Sequence, residues 1–171
     1  MKISFSTLGC PDYSWIDIYT MAKDLGYHGI EIRGLGNDIL ATRAKPFSEE
    51  QLPKTVAKLR EIGIEVSCLS SGIALKYQAK LPKIMEELTA YAKLANALGT
   101  AYIRVLADEH PAPEGEVDDE AIIATLKQLV PIAEEYNVTM LVETNGVYSD
   151  TARLKKILDE VGSNFFYFII I

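Results

Sequence analysis

The sequence predicts an α/β fold: a partial (β/α)8 TIM barrel of about five βα units, plus a sixth strand if the C-terminal segment pairs. Three observations lead there. A helix, a Gly or Asn stop and a short apolar strand recur along the chain. The stops at 26, 63, 99 and 137 lie 37, 36 and 38 residues apart. Charged residues sit at the C-terminal ends of strands that are otherwise apolar.

The elements follow in order. Ile3–Leu8 reads as strand one, and Ser14-Trp15-Ile16-Asp17 as the capping box of the first helix. Leu25-Gly26-Tyr27-His28-Gly29-Ile30-Glu31-Ile32 carries the first stop and strand two. Ser48-Glu49-Glu50-Gln51 reads as a second capping box, and Leu52, Val56 and Leu59 as the apolar stripe of helix two. Ile62-Gly63-Ile64-Glu65-Val66 opens strand three, and Ile84, Leu88, Tyr91, Ala95 and Leu98 form the stripe of helix three. Leu98-Gly99-Thr100-Ala101-Tyr102-Ile103 leads into strand four. Asp118 is the expected N-cap of helix four, which Pro131 should kink. Tyr136-Asn137-Val138-Thr139-Met140-Leu141 gives strand five, Asp150 caps helix five, and Val161-Gly162 precedes the apolar run Phe165–Ile171. No linker divides the chain, so residues 1–171 are expected to form one domain. Gly34-Leu35-Gly36 follows strand two, but position 39 is Ile, so a dinucleotide-binding loop is a weak reading. The regular spacing favours the barrel over an open doubly wound sheet, although a full barrel needs about 250 residues.

The bulk numbers exclude several classes. A hydrophobic fraction of 49% and a charged fraction of 24% describe an ordinary globular chain. The formal net charge of −7 argues against nucleic acid as a partner, and a small anionic substrate would need local positive charge. The N-terminus has no apolar signal region, and Phe165–Ile171 is far too short to span a membrane. Cys10 and Cys68 fit small buried hydrophobes in a reducing cytoplasm, the expected location.

Chemistry is sought among residues that do not belong in buried parallel strands. Glu31 and Arg33 stand two apart, hence on one face; with Ile30 and Ile32 turned to the helices, both point into the barrel. Arg104 on strand four is placed similarly and suits an oxyanion. Glu143 closes strand five as a lone carboxylate, a candidate metal ligand or catalytic group. A structural ion pair between Glu31 and Arg33 or Arg104 is the competing reading. His28, before strand two, and His110, after strand four, are expected to serve stability or a solvated loop. Tyr13, Trp15 and Tyr77 are expected to pack rather than line a pocket.

At these residues the chain resembles the sugar phosphate isomerase/epimerase family of xylose isomerase-like barrels. The matching pieces are Ile3-Ser4-Phe5-Ser6-Thr7-Leu8-Gly9-Cys10-Pro11, Gly26-Tyr27-His28-Gly29-Ile30-Glu31-Ile32-Arg33, Glu65-Val66-Ser67-Cys68-Leu69, Gly99-Thr100-Ala101-Tyr102-Ile103-Arg104-Val105 and Leu141-Val142-Glu143-Thr144-Asn145. The resemblance implies aldose–ketose isomerisation or epimerisation of a sugar or polyol, assisted by a divalent metal (Mn, Zn, Mg or Co). It implies that Glu143 is the first metal ligand, followed by Asp, His and Glu from strands six to eight. It makes Glu31 and Glu143 the catalytic carboxylates and Arg104, Arg33 and Asn145 the substrate-binding residues. The position of Asn145 is often histidine in relatives. From Asn164 the chain reads Phe-Phe-Tyr-Phe-Ile-Ile-Ile, with no Asp or His where strand six should supply ligands. The expectation is a truncated barrel that binds no metal tightly, is inactive alone and self-associates through its open edges. The alternatives are a catalytically dead partial barrel acting by binding, and an endonuclease of the same barrel type.

Overall fold

Every predicted stop adopts the left-handed backbone that ends a helix: Gly26, Gly63, Gly99 and Gly162 have φ between 62° and 76°, and Asn137 has φ 51°. The computed structural model describes residues 1–108 and 117–169. Its elements alternate as β1 (Ser4–Ser6), α1 (Trp15–Asp24), β2 (Gly29–Ile32), α2 (Leu52–Ile62), β3 (Glu65–Ala74), α3 (Leu81–Leu98), β4 (Tyr102–Leu106), α4 (Asp119–Glu135), β5 (Thr139–Glu143), α5 (Thr151–Val161) and β6 (Phe166–Ile169). The strands form one open sheet in chain order, β1-β2-β3-β4-β5-β6, and every neighbouring pair is parallel. This is the sheet of a partial TIM barrel. The expected sixth strand is present, with Met140 opposite Phe166 and Glu143 opposite Ile169.

Strand parity separates two faces. Ile30, Ile32, Leu69, Ile103, Val105, Met140, Val142 and Phe166 turn outward and are fully or almost fully buried against the helices. The helices answer with Ile18, Ala22, Leu59, Leu88, Tyr91, Ile122, Leu126, Leu129, Leu154 and Ile157. Each fully buried large side chain of this kind contributes roughly 1.5–3 kcal/mol, so this interface holds the fold together. The stripe predicted for helix three is buried except for the partly covered Leu98, whereas in helix two Leu59 and Thr55 are buried and Leu52 and Val56 only partly so.

Two local expectations change. Strand one is shorter than predicted, because Thr7–Gly9 turns into a 3₁₀ helix capped by Ser6. The Ser48 capping box does not form. The Ser48 carbonyl instead accepts the amides of Gln51 and Leu52, and α2 starts at Leu52 with Pro53 in its first turn. Proline suits that position because its missing N–H would be unpaired there anyway. Pro131 lies inside α4, and the helix runs through it from Asp119 to Glu135. By contrast Ser14 makes its box with Asp17, and Asp118 and Asp150 cap α4 and α5 as expected. No described helix is long and apolar enough to cross a membrane.

Candidate active site

The inner face of the sheet is built by the same parity. Glu31 stands opposite Cys68, and Arg104 stands opposite both Ser70 and Leu141. These residues, with Glu143 two positions beyond Leu141, share one face near the C-terminal strand ends. A polar chain crosses four strands there. The Ser70 hydroxyl donates to Glu31 Oε1. Arg104 Nε donates to Ser70 Oγ at 3.1 Å. Arg104 Nη1 lies 3.1 Å from Glu143 Oε2. Asn145 Nδ2 reaches Glu143 Oε1 at 3.5 Å, the long limit of a hydrogen bond.

Arg104 is the hub, and it is 2% exposed. Its distance to Glu143 is that of an ion pair, yet Nη1 is buried and makes no aligned hydrogen bond. Burial holds the Arg104 pKa below its ordinary value; Glu143 and Glu31 oppose that shift, and Arg33 reinforces it. The competing reading, an ion pair between Glu31 and Arg33 or Arg104, does not form among the described residues: Glu31 is held through Ser70, while Arg104 takes Glu143. The Cys68 thiol is pushed up to about 12, first by burial and then by the Glu31 charge, which makes it inert rather than nucleophilic.

The mouth above this chain carries a second group of contacts. Lys76, just past β3, meets Asp108, just past β4, at 2.6 Å, and this pair raises the lysine pKa. Asp119 at the start of α4 takes three bonds from Arg153, and its Oδ1 accepts the Tyr148 hydroxyl at 2.8 Å. Arg153 also donates to the Val117 carbonyl and lies over the Tyr148 ring. Tyr148 belongs to the turn Gly146–Ser149 that follows Glu143 and Asn145. Burial would raise Asp119, but the bonds from Arg153 and Tyr148 outweigh it and hold the carboxyl below its usual range.

Sequence reasoning placed Glu31, Arg33, Arg104, Glu143 and Asn145 in one region; the polar chain joins Glu31, Arg104, Glu143 and Asn145, while Arg33 acts on Arg104 through its charge alone. It missed Ser70, whose signal was its spacing of two from Cys68 in a buried strand. It also missed Lys76, Asp108, Asp119, Tyr148 and Arg153, which lie outside strands and carry no periodic signal. His28 accepts the Ile3 amide through Nδ1, tying β1 to β2 at the N-terminal end. Trp15 packs on Tyr19 and Phe47, while Tyr13 is exposed. His110 lies outside the described residues.

Among the described residues no three of His, Cys, Asp and Glu are placed to hold a metal ion. Among the described residues Glu143 matches an implied ligand, and its carboxylate already faces the Arg104 guanidinium. These residues alone do not fit a catalytic metal, which needs three or more protein ligands in a defined geometry.

The sequence matches the xylose isomerase-like TIM barrel family over residues 19–170, and the chain belongs to that family. Among curated proteins none matches it significantly. Among solved structures, the probable 3-DHS dehydratase AsbF of Bacillus anthracis, involved in petrobactin synthesis, superposes with a TM-score of 0.81 at 21% identity, covering 99% of this chain and 62% of that one. The IolI protein with a bound zinc atom gives 0.77 at 17% identity, covering 97% and 61%. The 3-keto-D-glucoside 4-epimerase YcjR of E. coli gives 0.75 at 14% identity, covering 99% and 68%. At these identities the likeness establishes the fold, and the chain spans about three fifths of the length of the first two proteins.

Proposed function

We propose that this chain carries the proton-transfer and oxygen-binding groups of a sugar isomerase/epimerase-type site, acting in the cytoplasm on a small sugar or polyol rather than on nucleic acid. The observation behind this reading is the polar chain Glu31–Ser70–Arg104–Glu143 on an inner sheet face at the C-terminal strand ends, where barrel enzymes work. In such chemistry a carboxylate, Glu31 or Glu143, removes a proton from the carbon beside a carbonyl. The electron pair moves to the carbonyl oxygen, and the proton returns to a neighbouring carbon or to the opposite face. Arg104, assisted by Arg33 and Asn145, neutralises the oxygen on which charge develops.

The metal that this family reading implies would take Glu143 as a ligand and polarise the carbonyl, but the remaining ligands are not among the described residues. Tight binding of a divalent metal and turnover of a sugar are expected to need ligands beyond Glu143. Titration of the isotopically labelled full chain with D-fructose and sorbitol tests the reading. Shifts at Glu31, Ser70 and Glu143 are expected, and signals there that stay fixed at saturating sugar would overturn it. Stoichiometric manganese or zinc retained through gel filtration and lost in Glu143→Ala would overturn the metal assignment.

A second reading, a catalytically inactive barrel that self-associates through its open edges, is favoured by one feature. Leu8, Tyr13 and Leu25 are exposed around a cavity of about 510 Å³ on the β1–α1 flank, and Ile3 and Ile16 are exposed as well.

A further inference from the structure

We propose that Arg33 receives an anionic group, the carboxylate or phosphate of an acidic polyol, while Arg104 and Glu143 handle the hydroxylated carbons beside it. The inference deepens the proposed function and rests on it for the polyol part. The first support is what Arg33 lacks. Among the described residues its guanidinium makes no ion pair and no hydrogen bond, although every nearby carboxylate of the inner chain and mouth is engaged. Glu31 takes Ser70, Glu143 takes Arg104, and Asp108 takes Lys76. Asp38 shares the cavity without pairing with Arg33, whose charge also acts on Arg104, and an anion bound at Arg33 would relieve that repulsion.

The second support is space. Arg33 lines a cavity of about 150 Å³ at the C-terminal ends of β1 and β2, walled by Thr7, Leu8, Gly34 and Asp38. That is room for one tetrahedral or planar oxyanion rather than a whole sugar. The cavity wall is firm. Thr7 is buried, and its hydroxyl accepts the amides of Arg33 and Gly34 at 3.0 and 3.4 Å. Gly34 is packed so tightly that a Cβ there would stand 2.8 Å from the Asp38 carbonyl. The backbone under the guanidinium is therefore fixed without help from the Arg33 side chain. The third support is contrast: in a chain of net charge −7, an unpaired arginine facing this cavity is the local positive charge that an anion requires. The Asp38 side of the cavity opposes an anion, which supplies a second handle for the test.

Calorimetry and salt-dependent titration on the full chain decide the matter, with gluconate, glucose 6-phosphate, sorbitol and inorganic phosphate as probes. Wild-type protein is expected to bind an acidic polyol about tenfold more tightly than sorbitol at low salt, with the gap shrinking as ionic strength rises. Gluconate against glucose 6-phosphate tells which anion is preferred. Arg33→Met should erase the preference while leaving the melting temperature unchanged; Arg33→Lys should restore part of it, and Asp38→Asn should enlarge it. Equal affinity for gluconate, glucose 6-phosphate and sorbitol, or a preference that survives Arg33→Met, would overturn the inference. If inorganic phosphate binds through Arg33 while none of the polyols does, the anion site stands and the isomerase reading fails. No binding of any probe removes both.

Discussion

Two clusters in this molecule use the same kinds of group, carboxylate, arginine and hydroxyl, and leave them in opposite states. At the mouth, Asp119, Arg153 and Tyr148 satisfy one another: the arginine makes aligned bonds to both carboxylate oxygens and to a carbonyl, and the phenol completes the set. On the inner face, Arg104 is more deeply buried, yet its Nη1 lies beside Glu143 without an aligned bond, and the charge of Arg33, which has no ion-pair partner among the described residues, opposes it. The first cluster ties the start of α4 to the turn behind Asn145 and has nothing left to offer. The second keeps bonding capacity in reserve at the place where barrel chemistry occurs. Unused capacity in a dry site is costly in folding terms, so its presence separates a binding cluster from a clasp.

Mutations can break this comparison, and the largest effect is expected at the hub. Arg104→Ala strands a partly buried carboxylate and a buried hydroxyl, so urea denaturation should show a loss of about 3–5 kcal/mol. The double variant Arg104→Met with Glu143→Leu should lose less than the single one, because it removes the stranded partner as well. A double variant as destabilised as Arg104→Ala would mean that the inner cluster is simply a second clasp.

At the mouth the effect is smaller and depends on pH. Asp119 has its pKa held below the ordinary carboxylate value of about 3.9. Its contribution is therefore complete above that value and disappears as pH falls through the lower, folded-state pKa. Asp119→Asn should cost about 1–3 kcal/mol at pH 6, and the difference from wild type should narrow below about pH 4. A constant gap from pH 6 to pH 2.5 in urea midpoints would show that the charge of Asp119 does not matter.

The smallest expected effect is that of Tyr148→Phe, which keeps the buried ring and removes one hydrogen bond, at about 1 kcal/mol. It should also loosen the turn Gly146–Ser149, which amide exchange would register as faster exchange at Tyr148, whose amide bonds the Asn145 carbonyl at 3.0 Å. Unchanged exchange there would separate the clasp from the positioning of Asn145.

What the sequence determined by itself was local and periodic. The stops at 26, 63, 99, 137 and 162 needed only the left-handed preference of Gly and Asn, and they marked the βα repeat. The period of two in strands was enough to turn Ile30 and Ile32 outward and Glu31 inward. The tertiary structure alone decided which group each charge meets. Glu31 and Ser70 are 39 residues apart, and Asp119 and Arg153 are 34 apart. The register shift between Ile30 and Glu31 brings Glu31 opposite Cys68, and Ser70 then lies within reach of both Glu31 and Arg104. Such offsets arise from irregularities in strand pairing, a property of two strands together that neither sequence segment carries alone. The same reason explains why Ser48 read as a helix cap and is not one: its short-range pattern was right, but the turn Lys45–Phe47 and Pro53 set where the chain could begin to coil.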